Sequence, residues 1–421
     1  MPRTFPRILL LGLNYAPEHT GIAPYTASMS RGLAKRDFEL RVLTTHPHYP
    51  EWAVTDGYGQ WLRDERLDGV MVRRLRHYVP TPPKGARRLA SELSYGARAT
   101  TTRWGHPDAI VLVSPALIAS AVAAMRAKAL SPSIPLIVWV QDLYARGMAE
   151  TGQSGRAAKA IAMIEGRLLR SADRVVAIHD RFADAIVHDF GVDRERITVV
   201  RNWTHLPPLP PVDVAVARER FGWRPHETVV LHTGNMGVKQ GLTNVINTAR
   251  LAEHKAASVR FVLLGNGGER ERLQALAQGA RAIQFIPPLD DSDYAAALAS
   301  ADILLVNELA GVAEMAVPSK LTSYFSSGRP VIAATDPNGI TASEINAAEA
   351  GRVVPADDPA ALLAAALELR AHPELAATLG ANGLRYRQTV LREEIAIEKF
   401  ASMLNEVTRI GDRGSTDVAS R

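Results

Sequence analysis

The chain has 421 residues, of which 47% are hydrophobic and 22% charged, with a net charge of +5 and a pI of about 9.4. This length exceeds what one hydrophobic core usually serves, so two domains are expected. The absence of cysteine excludes disulfides and thiolate metal sites and fits a reducing compartment. The apolar run Ile8–Leu13 is far shorter than a membrane span and lacks a signal-peptide cleavage pattern. We therefore expect a cytoplasmic protein.

Apolar runs alternate with helical patterns along the whole chain, which is typical of α/β domains whose parallel sheets are covered on both faces. In the first half, strands are predicted at Ile8–Leu13, Leu40–Thr44, Val70–Leu75, Ala109–Val113, Leu136–Val140, Arg174–Ile178 and Thr198–Val200. In the second half, they are predicted at Thr228–His232, Arg260–Leu264, Ala282–Phe285, Asp302–Val306, Pro330–Ala334 and Gly351–Val354. The pattern predicts two Rossmann-like, doubly wound domains that face each other across a cleft.

A proline-rich segment, Asn202–Pro211, separates the two halves. Four prolines this close together continue neither a helix nor a central strand, so the segment is predicted to be a linker. In chain order we expect an N-terminal domain, a linker, a C-terminal domain, a closing helix that crosses back to the first domain, and a disordered polar tail (1–205, 206–212, 213–390, 391–408 and 409–421). Ligands of such sheets bind beyond the carboxyl ends of the strands, so the loops there are the candidate site.

The segment Glu308–Pro330 lies between two apolar runs and is predicted to form a loop followed by a short helix. Glu314 lies in the loop, Pro318 and Ser319 stand where the helix would begin, and Lys320 follows at once. A carboxylate, a hydroxyl and an ammonium near free backbone N–H groups suit a sugar that carries a phosphate. An ordinary β–α turn with solvated charges explains the segment equally well.

Three further loops combine glycine with polar side chains directly after a predicted strand. In Asn14–Ala23, Gly21 would allow close approach to a phosphate, although a lone glycine also fits a plain turn. The loop Gly234–Gly241 has flexible glycines and one lysine, Lys239, before a helix, and this combination suits the binding of a diphosphate. The loop is not a P-loop, because it lacks the GK[ST] ending of that motif. The loop Leu264–Arg270 resembles a dinucleotide turn but lacks the final glycine spacing.

Other polar residues at strand ends allow more than one interpretation. Gln141 and Asp142 directly follow a buried strand, so they either bond to loop backbone or point into the cleft. His46 and His48 suggest a metal, but no third ligand is evident, and a turn against the substrate cleft is the better interpretation. Asp290–Asp293 could be taken for an Asp-x-Asp metal motif, but its position before a helical run favours capping. No metal site is predicted.

A strongly basic stretch between residues 73 and 103 contains Glu92 as its one acidic residue. A helix from about Ala86 to Trp104 would place Leu89 and Leu93 along one face, with arginines beside them. Residues 84–104 are therefore candidates for peripheral contact with an anionic membrane surface, and a solvated basic face is nearly as well supported. Nucleic-acid binding is not expected, because no recognition motif or stacking aromatic accompanies the charge.

Together these loops resemble the retaining glycosyltransferases of family 4, which have the GT-B fold. The resemblance extends from Ile8 to about Leu404. It is carried by G-N-M-G-x-K-Q-G at 234–241, G-N-G at 265–267, V-P-S-K-L-T at 317–322, N-Y-x-P-E-x-T-G at 14–21 and Q-D at 141–142. These motifs are especially similar to the branch of the family that contains colanic acid, O-antigen and capsule enzymes.

The resemblance implies transfer of a sugar, with retention, from a GDP- or UDP-linked donor to a saccharide acceptor, lipid-linked and at the inner face of the membrane, in surface polysaccharide synthesis. It implies no cofactor and no metal, and it makes the first domain the acceptor-binding one. It assigns catalysis to Glu314, Lys239, Gln141 and Asp142. It assigns donor binding to Gly21, Gly234, Asn235, Gly237, Lys239, Gly265, Asn266, Gly267, Ile286, Pro287, Pro318, Ser319, Lys320 and Thr322.

Three positions depart from the pattern of the family. Thr322 stands where a second glutamate holds the ribose, Asn235 where an arginine is common, and Gln141 where a histidine lies beside the sugar. These departures leave open a non-catalytic partner that binds nucleotide sugar for another transferase. A GT-B sugar-nucleotide 2-epimerase would share the fold but usually carries more acidic and histidine residues in its cleft.

Overall fold

A computed structural model describes residues 5–19, 21–82, 85–150, 155–203, 210–311 and 320–418. Within these ranges the strands are β1 (Arg7–Leu11), β2 (Glu39–Thr45), β3 (Leu62–Leu67), β4 (Val70–Leu75), β5 (Ala109–Ser114), β6 (Leu136–Val140), β7 (Arg174–Ala177), β8 (Ile197–Val199), β9 (Thr228–Asn235), β10 (Val259–Asn266), β11 (Ile283–Ile286), β12 (Ile303–Asn307), β13 (Val331–Thr335) and β14 (Gly351–Pro355). The helices are α1 (Ala23–Ala34), α2 (Ala86–Thr101), α3 (Leu117–Leu130), α4 (Tyr144–Glu150), α5 (Arg156–Ser171), α6 (Asp180–Phe190), α7 (Val214–Arg220), α8 (Thr243–His254), α9 (Arg270–Leu276), α10 (Asp291–Ser300), α11 (Lys320–Ser326), α12 (Ile340–Ala348), α13 (Pro359–Ala371), α14 (Pro373–Thr389) and α15 (Glu393–Val418). None of the helices in this part of the chain combines the length and the apolar character of a transmembrane segment.

The chain divides into two compact units, each built around one sheet. The first unit comprises residues 1–205 and 393–421, and the second comprises residues 206–392. Most of the predicted linker lies outside the described residues. The last helix runs to Val418 rather than ending at residue 408, so the tail that we expected to be disordered is helical that far. The tail contains no proline, and each added residue extends a helix already nucleated, although Gly411 and Gly414 are poor helix formers.

The sheet of the first unit has the strand order β3-β4-β2-β1-β5-β6-β7-β8. All neighbouring strands are parallel except β3 and β4, which form an antiparallel hairpin at one edge. Helix α15 packs into the same core, where Trp139 stacks on Trp203 at 6.2 Å and meets Phe400 edge-on at 5.3 Å. Gly32 allows this approach, because a Cβ there would lie 2.1 Å from the side chain of Ile397.

Strand β3 is the one strand of the described residues that the sequence did not predict. Its sequence, Leu-Arg-Asp-Glu-Arg-Leu, is dominated by charge, because an edge strand exposes residues that a central strand would bury. Asp64 lies opposite Arg73 of β4 and accepts two hydrogen bonds from its guanidinium, each 2.6 Å long. This cross-strand ion pair takes the place of the apolar alternation that identifies other strands.

The sheet of the second unit is entirely parallel, with the order β11-β10-β9-β12-β13-β14. Strand order reverses between β9 and β12, as it does between β1 and β5 in the first unit. At such a switch point the loops beyond the carboxyl ends diverge and leave a crevice in which ligands bind. The predicted fold class, two Rossmann-like α/β domains, is confirmed.

Candidate active site

In the second unit, the loop that carries Lys239 is held at the switch point between β9 and β12. The Asn307 side chain at the end of β12 donates from Nδ2 to the carbonyls of Gln240 (2.8 Å) and Gly241 (3.1 Å). The backbone N–H of Leu309 donates to the carbonyl of Lys239 at 2.8 Å. The lysine therefore lies beside the end of β12, in the crevice where the fold places a ligand.

The glycines of this edge allow two loops to pack backbone against backbone. Gly265 pairs with Gly234 across the sheet, and a Cβ on Gly265 would lie 2.0 Å from the carbonyl oxygen of Gly234. A Cβ on Gly267 would lie 2.5 Å from the carbonyl oxygen of Met236, and its φ of +155° favours glycine. Gly237 donates its N–H to Oε1 of Gln240 at 3.0 Å. The surface beside Lys239 is therefore formed largely by backbone.

The residues predicted to hold the base lie at the same edge. Arg270 at the start of α9 donates to the carbonyl of Gly265 and, at 3.2 Å, to that of Ile286 at the end of β11. Asn266 accepts the N–H of Gly267 at 2.9 Å, and Pro287 directly follows Ile286. Sequence reasoning missed Arg270, because its role depends on a strand that lies 16 residues further on.

Lys320 is oriented by a buried histidine. Its Nζ lies 3.3 Å from Nε2 of His232, whose Nδ1 lies 3.1 Å from the carbonyl of Leu305. Burial lowers the pKa of His232 well below its usual range, so the ring is neutral and accepts from the ammonium. Burial also lowers the pKa of Lys320, to about 8, against the opposing effect of the nearby Glu308. A neutral acceptor orients the ammonium without cancelling its charge.

Part of the predicted site cannot be located in this structure. Glu314, Pro318 and Ser319 lie outside the described residues. Thr322 is buried on α11, where its carbonyl accepts from the Ser326 hydroxyl at 2.7 Å. The structure thus brings together Lys239, the glycine loops and the residues near Ile286, while the roles assigned to Glu314 and Thr322 stay predictions.

In the first unit, a buried carboxylate joins the loops that follow β1 and β2. Glu18 accepts the N–H groups of His48 (2.8 Å) and Tyr49 (2.9 Å), and Asn14 donates to its other oxygen at 2.9 Å. Gly21 has a φ of +64°, and a Cβ there would lie 3.4 Å from the Tyr49 ring. Gly21 therefore forms a left-handed turn beside Tyr49, and its assigned role near the phosphates stays a prediction.

Gln141 and Asp142 follow β6 at the same edge of the first sheet. Gln141 is buried and accepts from Nδ2 of Asn202 at 2.8 Å. Glu165 of α5 accepts the N–H of Tyr144 and that of the next residue, at 2.8 and 2.9 Å, which fixes the start of α4. Sequence reasoning missed Asn202 and Glu165, because both act on a loop that is remote from them in the chain.

The two segments that could be taken for metal motifs have other roles or positions. Asp290 accepts the N–H of Asp293 at 2.8 Å, so it caps α10 as expected. His46 and His48 lie in the loop after β2. In the described part of the chain, no group of three or more His, Cys, Asp or Glu side chains is arranged to hold a metal ion.

Comparison with known proteins agrees with this geometry. Residues 20–203 match the glycosyl transferase 4-like domain, and residues 227–372 match the glycosyl transferases group 1. Over 338 residues the chain is 32% identical to the putative colanic acid biosynthesis glycosyl transferase WcaI of Escherichia coli K12, covering 76% of this chain and 81% of WcaI. The chain belongs to the glycosyltransferase family that contains WcaI.

Solved structures support the same fold for this glycosyltransferase. Sucrose-phosphate synthase from Thermosynechococcus elongatus superposes with a TM-score of 0.74 at 18% identity, covering 96% of this chain and 100% of that one. Anabaena HepE in complex with UDP superposes with a TM-score of 0.69 at 16% identity, covering 95% and 100%. The resemblance to GT-B glycosyltransferases that the loops suggested is confirmed.

Proposed function

We propose that this glycosyltransferase moves a sugar, with retention, from a GDP- or UDP-linked donor to a lipid-linked saccharide during synthesis of a bacterial surface polysaccharide. The observation that carries the proposal is the Lys239 loop, which lies among closely packed glycines at the switch point of the second sheet. The name of WcaI supports the role in polysaccharide synthesis, and the UDP in HepE supports a nucleotide donor.

The donor would lie on the second unit. Lys239 and Lys320 oppose the charge of the diphosphate, and the loop with Gly234, Asn235 and Gly237 lets the diphosphate approach the backbone. Each well-placed donor of this kind lowers a reaction barrier by about 3 kcal/mol. The base and ribose would contact the residues that the resemblance assigns to this part of the donor, with Thr322 near the ribose. The other residues of this set are Gly265, Asn266, Gly267, Ile286 and Pro287.

The transfer step breaks the bond between the anomeric carbon and the diphosphate oxygen and forms one to the acceptor hydroxyl oxygen. The departing diphosphate takes the acceptor proton, so no side chain is required as general base. Glu314 would contact the transferred sugar, and Gln141, Asp142 and Gly21 would have the roles in catalysis and phosphate binding that the resemblance assigns to them. No cofactor or metal is required, because the lysines and backbone N–H groups stabilise the leaving group.

Release of nucleoside diphosphate tests this proposal. The protein is incubated with GDP- and UDP-sugars and with lipid-linked saccharides, and the diphosphate is quantified. Lys239→Ala should slow release by roughly 10²–10³-fold. Lys255→Ala is the matched control, because Lys255 is exposed at the far end of α8. Full activity of Lys239→Ala would show that Lys239 does not stabilise the diphosphate. Absence of diphosphate release with every donor and acceptor would reject the glycosyltransferase function.

The same assay separates the two alternatives. A 2-epimerase would convert the free nucleotide sugar without an acceptor, and a non-catalytic partner would bind the donor without turnover until another protein is added. Relatives that are glycosyltransferases do not favour either alternative.

The enzyme would act on the cytoplasmic face of the membrane, which it would contact through α2. Ala86, Leu89, Ala90, Leu93 and Ala97 form an exposed apolar stripe along this helix. Such a stripe flanked by basic residues is typical of a helix that lies in a lipid interface.

Two aromatic side chains extend this stripe. Trp61 is 66% exposed, and the guanidinium of Arg98 stacks on its ring at 3.6 Å. Tyr78 is also exposed, and its N–H donates to the hydroxyl of Ser94 on α2 at 2.9 Å. Aromatic rings of this kind are enriched at the membrane–water interface. The negative charge of Glu92 does not oppose an anionic lipid, because its side chain is buried.

Sedimentation with vesicles tests the membrane contact. Binding should require phosphatidylglycerol in a phosphatidylcholine vesicle and weaken as salt increases. The double substitution L89E/L93E should abolish it, whereas Met125→Glu should not, because Met125 is 73% exposed on a different helix, α3. Equal binding of both variants would show that α2 is not the contact.

A further inference from the structure

The imidazole of His48 presents a buried lone pair at the ligand-binding edge of the first sheet. Its side chain is 1% exposed. Its Nδ1 lies 3.0 Å from the carbonyl of His46 and 3.5 Å from the carboxylate of Glu18, and both of these oxygens only accept. The hydroxyl of Thr45, 3.4 Å away, also acts as an acceptor here, because it donates its proton to the carbonyl of Leu13 at 2.7 Å. The proton of the neutral ring therefore resides on Nδ1. Nε2 carries the lone pair, and it has no hydrogen-bond partner among the described residues.

A second imidazole lies beside the first. His77, in the loop after β4, packs edge-on against His48 with ring centroids 4.8 Å apart. Neither of its ring nitrogens has a partner among the residues that the structure describes. Burial lowers the pKa of both rings, that of His77 to about 3, so His77 is neutral and carries one N–H. A buried lone pair and a buried N–H thus lie on neighbouring rings.

Such groups are costly unless a ligand satisfies them. A buried polar atom without a partner destabilises the protein by about 1–3 kcal/mol. The Tyr95 ring lies edge-on to His77 at 6.5 Å, but its hydroxyl bonds to the carbonyls of Gly12 and Leu43 and makes no hydrogen bond to His77. A hydroxyl group fits the pair, since it donates to a lone pair and accepts from an N–H.

Trp52 forms the outer wall of this cluster. Its partly exposed ring meets His48 edge-on at 5.6 Å, and the guanidinium of Arg88 lies over the indole, 5.2 Å from its centroid. An indole ring offers a flat apolar surface against the C–H face of a sugar. Because Nε2 of His48 is shielded from solvent, a ligand hydroxyl would reach it only after a neighbouring ring moves, and Trp52 is a partly exposed ring of this cluster.

The position in the fold agrees with a substrate site. The loops after β1 and β2 meet here through Glu18, and the loop after β4 joins them through the ring contact between His77 and His48. All three loops lie at the carboxyl ends of strands on one side of the switch point of the first sheet. A metal is not the favoured occupant, because the described residues provide no group of three ligands.

We propose that the acceptor saccharide binds at this cluster, with one hydroxyl donating to Nε2 of His48 and its ring packed against a displaced Trp52. The inference rests on the proposed function and names the residues that select the acceptor. His77 contributes its N–H to the same hydroxyl. Glu18 is a positioning residue, because it fixes both the loop and the tautomer of His48.

Chemical footprinting tests the site independently of activity. Diethyl pyrocarbonate acylates unprotonated imidazole nitrogens, and mass spectrometry of the full-length protein measures the rate at each histidine. His48 should react about tenfold faster in Trp52→Ala than in the unsubstituted protein, relative to the exposed His188. Trp61→Ala is the matched control, because Trp61 also carries a stacked arginine and should leave His48 protected.

The occupant is identified by adding ligands to Trp52→Phe and to the unsubstituted protein. Methyl glycosides of glucose, galactose, fucose and rhamnose should slow the acylation of His48, and UDP- or GDP-sugars alone should not. Protection by the nucleotide sugars alone would assign the cluster to the donor sugar and overturn the proposal. Lack of protection by every sugar, or an unreactive His48 in Trp52→Ala, would overturn it as well.

Transfer kinetics distinguish failure of this site from failure of the proposed function. His48→Phe should raise the acceptor KM about tenfold, the loss of one hydrogen bond, while the affinity for UDP or GDP is unchanged. His48→Gln, which retains an acceptor oxygen, should recover part of the loss. Normal acceptor KM in His48→Phe would refute the site and leave the transferase activity standing. If His48→Phe does not fold, the footprint of the unsubstituted protein decides.

Discussion

In both units the candidate site lies at the carboxyl ends of parallel strands, but the chemical groups that form this edge differ between the units. In the second unit the edge is mainly backbone, made possible by glycines such as Gly234, Gly265 and Gly267, with Lys239 and Lys320 beside it. In the first unit it consists of side chains supported by buried carboxylates: Glu18 under the loop after β2, Glu92 at the start of α3 and Glu165 at the start of α4.

This difference follows from what each unit would recognise. A diphosphate is the same group in every nucleotide sugar. Backbone N–H groups and lysines therefore bind it without distinguishing one sugar or base from another. A saccharide acceptor is distinguished by its hydroxyls, which require side chains held in one orientation. Buried carboxylates supply that support, because each accepts backbone N–H groups that would otherwise lack partners.

The largest effect is expected where the second unit depends on glycine. Gly265→Ala should destabilise this unit by more than about 3 kcal/mol, because the new Cβ would meet the carbonyl of Gly234 and the φ of +137° is strained for alanine. Gly268→Ala should be nearly neutral, since a Cβ at Gly268 would have no atom within 4 Å. Thermal unfolding compares the two, and equal stability would contradict the backbone-packed edge.

Removing a supporting carboxylate should have the next largest effect. Glu165→Ala leaves two N–H groups at the start of α4 without their acceptor, which should cost about 2–3 kcal/mol of unfolding free energy. Turnover should fall as well, because the loop with Gln141 and Asp142 loses its anchor. Glu165→Gln should retain most of both properties. Denaturant unfolding measures the stability, and diphosphate release measures the turnover. Unchanged values of both in Glu165→Ala would show that the carboxylate does not stabilise this loop.

The histidine cluster of the first unit should make the protein sensitive to acid. The pKa of His77 is about 3 in the folded protein and about 6.5 when unfolded. Between these values the unfolded chain takes up a proton that the folded chain does not, so stability falls as pH decreases. From pH 7 to pH 5 the loss should be about 2 kcal/mol.

His77→Phe tests this dependence. The substitution should reduce the loss of Tm between pH 7 and pH 5, because one buried histidine no longer titrates, whereas His106→Phe, at an exposed histidine, should leave the loss as it was. An unchanged acid sensitivity in His77→Phe would show that the ring does not titrate with unfolding.

The smallest effect is expected from the pKa of Lys320, about 8 in the donor-free protein. Its ammonium is charged at pH 7 and largely neutral at pH 9, so the affinity for UDP or GDP should fall about tenfold over that range. Lys320→Arg keeps its charge and should show a flat profile. Calorimetry at pH 7, 8 and 9 measures the dissociation constants, and an equal decline in both proteins would exclude Lys320 as the cause.

The parts of the fold and site that the sequence revealed are those with a local signature. Apolar runs identified each described strand except β3, whose charged residues pair with Arg73 and Arg74 of β4. The loops around Gly234 and Gly265 were found because a tight turn restricts the residue type at the turn itself. Glu314 was assigned by resemblance, and the described residues do not include it.

Only the tertiary structure decided which residues remote in the chain contact each other. His232 and Lys320 are 88 residues apart, and Gln141 and Asn202 are 61 apart, so no periodicity could pair them. The burial that neutralises His48 and His77 likewise arises only when several loops meet. Sequence alone determined the strands, the turns and the family, because these depend on residue type and spacing; partners, burial and protonation depend on the folded chain.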